Sequence, residues 1–572
     1  MDNRRFILLG IFFFSLFMLW DAWQRYNNPQ PVPTAALPSS SVPSAPVPSV
    51  DVPTLPAQAG TEGMQGINSV SVPATDTAVA KGEIVEIRTD LFTAQVSTQG
   101  GDLIGLELSS YRATEDSSKN FRLFDIEHRY AAQSGLIGDG LPNHKTAFSP
   151  LPGKRELSAG EDAIQLRLEA PAVNGVKVAK VYTFKRNSYL IDLAYEIDNE
   201  SQKEIAAHAY YQLQRDNQSP AGESSMVSTF TGPAQYTEQG KFNKINFKDI
   251  EKGDAKLETK ADNGWMAMIQ HYFVSAWIPQ EKLQREFYAR SLEGGSNPVV
   301  AAGLIVPVPT IAPGSKLSYG AWLYAGPQIQ AILDQLSRPL ADGGINAQGL
   351  PLVVDYGWLT IVAAPIFWLL EFIHKMIGNW GWAIVVLTIL IKAVFFPLSA
   401  ASYKSMAKMR TVAPRLQALK ERCGNDRQKL NMEMMSLYKA EKINPLGGCL
   451  PMLVQIPVFI ALYWALLGAV EIRNAPWILW IQDLSMQDPY YVLPVTMMVT
   501  MLIQTKLNPT PPDPIQAKVT MIMPFAFGIM FFFFPAGLVL YWVVNNILSI
   551  AQQWQITRMI ERGGKAANDA KA

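Results

Sequence analysis

Five apolar stretches in the C-terminal third constrain this chain more than any other feature of it. They run from Trp380 to Ala401, Leu446 to Ala469, Tyr490 to Leu507, Lys518 to Phe534 and Pro535 to Ile556. Each approaches the roughly 20 residues a helix needs to cross a hydrocarbon core about 30 Å thick. In lipid every backbone polar group must be satisfied within its own segment, so these stretches read as spanning helices. Only 17% of the 572 residues are charged, against about 25% in an ordinary soluble domain, and the deficit lies here. Phe6 to Trp23 is a sixth stretch, behind Arg4 and Arg5. It ends in Trp20, Asp21, Ala22 and Trp23 rather than in a small-x-small cleavage site, so it reads as a retained anchor with its N-terminus in the cytoplasm.

A further apolar segment, Tyr356 to Ile377, carries Glu371, His374 and Lys375 in its last two turns. If it spanned, Tyr403 to Lys442 would lie outside, yet that segment holds ten Lys and Arg against four acids. The excess of basic residues on cytoplasmic loops argues against this, and Tyr356 to Ile377 is expected to lie along the outer interface. Six spans remain, with the basic segment, the loop at Pro509 to Pro514 and the tail with Arg558, Arg562 and Lys565 in the cytoplasm.

Between the anchor and the membrane core lie two other kinds of sequence. Pro29 to Pro56 holds nine prolines, which favour extended backbone and cannot bury a core. Such a tether is expected to leave the next domain mechanically independent of the membrane, and dispensable for work done there. From about Gly82 to Gly326 apolar and polar residues alternate, as in Ala163-Ile164-Gln165-Leu166-Arg167-Leu168, with turn signals at Gly100-Gly101, Asn174-Gly175, Asn199-Glu200 and Gly294-Gly295. Half-buried strands in a β-sandwich follow from that period. The chain therefore divides into an anchor (1–25), a Pro-rich linker (26–80), an exported all-β domain (81–326), a linker with an interfacial helix (327–378), a second span (379–402), a cytoplasmic hairpin (403–444), spans three to six (445–557) and a short tail (558–572).

Enzyme chemistry finds little support. His208 and His271 sit in strand-like or aromatic contexts, where a packed histidine is the plain reading, and no acid pair has the spacing of general acid/base work. Two cysteines and five scattered histidines supply no metal-ligand pattern, and no phosphate-binding loop is present. No cofactor or metal is expected. Lys plus Arg equals Asp plus Glu at 49 each, so bulk charge does not point to direct nucleic-acid binding.

Chemistry concentrates instead at Lys392, inside the apolar run VVLTILIKAVFF. About 18 Å of helix separates it from Trp380, which places it in the cytoplasmic half of the bilayer. A lysine at such depth costs roughly 2.5 to 3.5 kcal/mol even on lenient scales and is a functional candidate by default. Spans three to six contain no Asp or Glu, so a buried ion pair is not expected. Thr388, Gln455, Gln504, Asn545, Ser549 and Gln552 fall near the same level. Singly, each reads as a helix-packing hydrogen bond; around an unpaired lysine they read as a wet cavity open to the cytoplasm. Tyr403 to Lys442 has helical periodicity broken at Gly424-Asn425-Asp426, an antiparallel helix pair with Asn425 or Asp426 as cap. Its methionines, Met406, Met409, Met434 and Met435 among them, suit a surface that meets varied apolar partners.

The stretches VDYGWLTIVAAP, GNWGWAIVVLTILIKAVFFPLSAASYKSMAKMR, YKAEKINPLGGCLPMLVQIPVFIALYWAL, WIQDLSMQDPYYVLP and FPAGLVLYWVVNNILSI resemble the YidC-type membrane protein insertases of the wider Oxa/YidC group. With its anchor and large exported domain the layout resembles the Gram-negative branch. The resemblance implies a polytopic α-helical membrane protein of six spans with a five-span insertase core, plus a periplasmic all-β supersandwich, in the bacterial inner membrane. It implies a cytoplasm-facing groove with one positive charge, usually arginine and here Lys392, with Thr388, Gln455, Tyr541, Trp542 and Asn545 lining the groove or the slide for a client helix. It further implies nascent integral membrane proteins as clients, the Sec translocon and its accessory subunits as partners, and recruitment through the hairpin of the signal recognition particle, its receptor or the ribosome. Two other classes are weighed: a secondary transporter or channel with a lysine-lined cavity, which would be expected to show inverted repeats and intramembrane carboxylates, and an exported sugar enzyme on a membrane anchor, which would leave the Lys392 cavity unexplained.

Overall fold

The computed structural model describes residue 53 and residues 82–114, 116, 118–220, 229–293, 298–424, 426–441, 450–508 and 514–569. The expected anchor, nearly all of the Pro-rich linker, the Gly294-Gly295 turn, Asn425 and all but the last residue of the Pro509 to Pro514 loop lie outside the described residues.

Two antiparallel sheets of nine strands each form the β-domain. In the first, Ile205–Asp216 pairs with Val299–Ile311, Tyr211 opposite Leu304. In the second, Leu190–Asn199 pairs with Lys316–Pro327, Leu193 opposite Ala321. Asn174 and Gly175, with φ of 53° and 79°, make the turn between Ala163–Glu169 and Val176–Lys185, because left-handed backbone at both turn positions matches the twist of the flanking strands. The sheets meet through large aromatics: Trp277 packs 5.1 Å from Tyr211 and donates its indole N–H to the Gln212 carbonyl at 3.0 Å.

Alternating burial holds along Ala163–Glu169 but not along Trp265–Ile269 or Phe273–Pro279, which are buried throughout. Their second face is covered. The helices α1 (Phe247–Glu251) and α2 (Gln330–Ser337) and the segment behind α2 contribute buried Phe247, Ile250, Leu333, Ala347, Leu350 and Val353 to the same core. Trp265 donates to the Gln348 carbonyl at 2.9 Å.

Eight helices follow among the described residues: α3 (Thr360–Ile377), α4 (Trp380–Val394), α5 (Phe396–Cys423), α6 (Arg427–Ala440), α7 (Leu450–Gly468), α8 (Val492–Leu507), α9 (Pro514–Phe531) and α10 (Ala536–Asp569). The stretch expected as one helix from Trp380 to Ala401 is bent by 66° at Phe395. Pro397 explains it: proline lacks the helical donor and disfavours helical backbone in the residue before it. Among the described residues, α3 alone is long and apolar enough to cross a membrane unaided, and the bent pair passes the same test as one unit, whereas the apolar parts of α7, α8 and α9 are shorter. Length and composition therefore identify one or two spans among the described residues. Surface chemistry adds an independent sign. On α9, Met521, Ile522, Phe525 and Ile529 are exposed, as are Ile361, Trp368, Phe372 and Met376 on α3. Apolar surface this continuous marks contact with lipid or protein.

Hydrogen bonds hold the helix ends. Buried Asp488 accepts from the backbone N–H of Leu493 at 2.8 Å and from the Trp480 indole at 2.9 Å, fixing the start of α8. Asn379 caps α4 by accepting from Trp382 N–H. The link between α9 and α10 is pinned where Ala536 and Gly537 donate to the carbonyls of Met486 and Leu484. α10 continues as helix beyond Ile556, through residues expected as tail.

The sandwich is not held by the tether alone. Arg473, just beyond α7, donates to the Arg112 carbonyl at 2.7 Å, and His271 Nε2 lies 2.9 Å from the carbonyl of Leu467. This corrects the expectation of mechanical independence: a hydrogen-bonded clamp joins the β-domain to a core helix and the loop after it.

Candidate functional site

α10 carries Tyr541, Asn545 and Ser549 at spacings of four, which puts them on one helix face, and that face meets α4, the start of α5 and α7. Lys392, on the last turn of α4, is 5% exposed. Its Nζ donates to Ser549 Oγ at 2.7 Å, and Ser549 Oγ donates onward to the Asn545 carbonyl at 2.7 Å. Tyr403, on α5, also hydrogen-bonds Ser549. Across the seam, Gln455 Nε2 on α7 donates to Asn545 Oδ1 at 2.6 Å. Lys392, Ser549, Asn545 and Gln455 thus form one connected polar line between three helices. Among the described residues no carboxylate lies within ion-pair distance of Lys392, so hydroxyl and amide dipoles face its charge.

The remaining residues of the sequence reading fall in different places. Thr388 is buried one turn from Lys392, but its hydroxyl donates to its own helix, to the Ile384 carbonyl at 2.6 Å. Tyr541 is stacked 6.3 Å from Phe459 of α7, and Trp542 meets Phe459 edge-on at 4.6 Å. The Trp542 indole N–H and Gln552 Oε1 are buried without a hydrogen-bond partner among the described residues. Gln504, half-buried on α8, makes no hydrogen bond to the seam among them.

Sequence reasoning missed a second polar seam. Asn546 and Gln553, seven residues apart on α10, face α8 instead. Asn546 donates to Thr500 Oγ1 at 3.4 Å, and Gln553 to the Leu507 carbonyl and Asn508 Oδ1, both at 3.1 Å. Gln553 so satisfies a carbonyl left open at the end of α8. The seven-residue spacing was readable in the chain; the identity of the facing helix was not.

In the hairpin, Asp426 caps α6 by accepting from Lys429 N–H at 3.0 Å. Arg415 pairs with Glu441 at 2.7 Å, and Arg422 with Glu433. Met409 and Met434 pack with Val412, Leu416, Leu437 and Tyr438 between the two helices. Met406 is half-buried, and Met432 and Met435 face outward. Four of the hairpin's methionines are thus divided between a small core and an exposed apolar edge.

Residues 84–369 match the family described as YidC periplasmic domain, and residues 372–563 the family described as 60Kd inner membrane protein. The membrane protein insertase YidC of Dechloromonas aromatica is 62% identical over 572 residues, covering all of both chains. That of Aromatoleum aromaticum is 56% identical over 590 residues, again covering all of both chains. A crystal structure of an active YidC insertase with its first transmembrane domain resolved covers 82% of this chain and 94% of its own at 19% identity, with a TM-score of 0.40. Taken with the two family matches, the full-length relatives show that the chain belongs to the YidC family of membrane protein insertases.

Proposed function

We propose that this protein inserts integral membrane proteins into the bacterial inner membrane and helps them fold, alone or beside the Sec translocon. The relatives named as insertases, matched over their full length, support the activity and do not favour a transporter or channel. The observation that carries the mechanism is Lys392, buried beside Ser549 with no acid paired to it among the described residues. A buried cation without a counterion is costly by itself and attractive to an incoming acidic group. An acidic N-terminal tail of a client enters the seam from the cytoplasm, where Lys392, Ser549, Asn545 and Gln455 replace part of its hydration. The client's apolar helix then moves into lipid along α7, Tyr541 and Trp542, drawn by hydrophobic burial.

Orientation follows from charge. The hairpin α5–α6 and the end of α10 face the cytoplasm, the sandwich faces the periplasm, and α3 lies along the outer interface with its exposed apolar face in the headgroup region. In this arrangement the exposed edge of the hairpin at Met432 and Met435 receives clients, with the signal recognition particle, its receptor or the ribosome delivering them. Proteoliposomes containing only this protein test the reading. A single-span client with an acidic tail becomes protected from protease in their presence; client left fully digestible would refute it.

A further inference from the structure

The loop after α7 is held by more contacts than a connection between two helices requires. At the end of α7 the Leu467 carbonyl is met by the ring of His271, which stacks on Tyr272 at 3.7 Å. Burial holds that imidazole down to about 4, so it is neutral and can donate to the carbonyl. Val470 and Ile472 are fully buried. Glu471 accepts from the backbone N–H of Gln330, the first residue of α2, at 3.3 Å. The Arg473 guanidinium lies over three rings, Phe121 at 5.2 Å and Tyr272 and Phe273 at 5.3 Å each. It donates to the Arg112 carbonyl at 2.7 Å and Thr114 Oγ1 at 3.1 Å, and Asn474 Oδ1 accepts from Arg112 N–H. Phe121 and Arg112 belong to the first sheet and Phe273 to the second, so the loop is gripped by both.

We propose that Arg473 is a positioning residue: through this clamp the sandwich sets where α7 stands over the polar seam. The consequence is geometric. α7 carries Gln455 and Phe459, its contacts to Asn545, Tyr541 and Trp542 on α10. α7 packs also against α3 and α5, and the end of α7 at Leu467 is where it meets the sandwich directly, through His271. A guanidinium over three rings, with two donors satisfied, resists displacement because cation–π contact and hydrogen bonding share one rigid plane. Docking of a partner on the sandwich would then reach the seam as a shift of α7, without any contact between that partner and the client.

The inference deepens the insertase reading, and its first test does not depend on insertion. In full-length protein in nanodiscs, with Cys423 and Cys449 replaced by serine, the pair Gln455→Cys and Asn545→Cys reports the spacing of α7 and α10 through its rate of disulfide formation. Arg473→Ala should change that rate by roughly threefold or more, and should speed hydrogen exchange in residues 467–475 while Val299–Ile311 keeps its protection. Arg473→Lys, which retains the cation, should fall between wild type and alanine. At neutral pH His271→Gln, which keeps a donor, should leave the disulfide rate at the wild-type value; if the alanine variant fails to fold, Arg473→Lys carries the test, and a wild-type disulfide rate in it beside faster loop exchange would overturn the proposal. An unchanged disulfide rate beside faster loop exchange would overturn the proposal, because membrane helices alone would then place α7. With native cysteines and an intact seam, Arg473→Ala should also lower client insertion; a shifted disulfide rate in a protein that inserts nothing even as wild type would sink the insertase reading and leave the positioning role standing.

Discussion

Lys392 on α4 donates to Ser549 on α10 at 2.7 Å, and this is its one hydrogen bond among the described residues. An ammonium has three donors, so the others remain available to an anionic guest. Charge at this position should therefore matter more than shape. Lys392→Arg should keep insertion, Lys392→Ala should weaken it by a factor of roughly 5 to 30, about 1 to 2 kcal/mol, and Lys392→Glu should nearly abolish it for clients with acidic tails. Protease protection of such a client in proteoliposomes is the measurement, and normal insertion by folded Lys392→Glu would refute the charge mechanism.

The Gln455–Asn545 hydrogen bond should be weak in stability although central in position. Membrane double-mutant cycles average about 0.6 kcal/mol for such pairs, since the unfolded chain in lipid also finds partners. Gln455→Ala, Asn545→Ala and the double variant should show a coupling of about that size in thermal unfolding. A coupling near 3 kcal/mol would mean that the pair is a structural lock rather than an adaptable lining.

Topology is testable by labelling. In intact spheroplasts a cysteine at position 240, in an exposed turn of the sandwich, should react with an impermeant reagent, while one at position 425 should be protected. Labelling at 425 would place the hairpin outside and cancel the six-span arrangement.

The clamp around Arg473 should depend on pH through two opposed groups. Burial lowers His271 from its ordinary 6.5 to about 4, so release of the clamp is accompanied by proton uptake between these values. Its contribution is complete above pH 6.5 and is lost as pH falls toward 4. Burial raises Glu471 from 4.5 to about 7, so the clamped state holds the extra proton there, and clamping weakens as pH rises from 4.5 to 7. Each slope is about 1.4 kcal/mol per pH unit, and between 4.5 and 6.5 they cancel. Exchange protection of residues 467–475 should be nearly flat across that window. Glu471→Gln should make protection fall on acidification, and His271→Gln should make it rise; identical profiles in both variants would refute this balance.

Inside the sandwich, Lys180 and Asp102 lie 3.3 Å apart with almost no exposure. Burial outweighs their mutual attraction, pushing the lysine down and the carboxyl up. Removing one partner leaves the other stranded, so Lys180→Met or Asp102→Asn alone should cost about 3 to 5 kcal/mol, while replacing both with apolar residues should cost far less. Fluorescence-detected unfolding, with Trp265 and Trp277 buried in the same core, measures the difference.

The chain's own chemistry determined the division of labour. Alternation of period two in Ala163–Glu169 announces a sheet with one wet face, because strand side chains point alternately up and down. A lysine amid apolar residues announces a site, because lipid makes its charge expensive wherever the helix is placed. Asp426 was legible as one of two candidate caps beside Asn425, since capping is a contact within four residues. What the chain could not state by itself are contacts between distant segments. The partner of Lys392 is a serine 157 residues away, and nothing local distinguishes Asn545, facing α7, from Asn546, facing α8, until helix packing sets the rotation of α10. The 66° bend at Phe395 needed Pro397 to be weighed above a continuous apolar run. The clamp on Arg473 was hidden most deeply. Its three rings come from Phe121, Tyr272 and Phe273, which only the packing of one sheet on the other brings together around one loop.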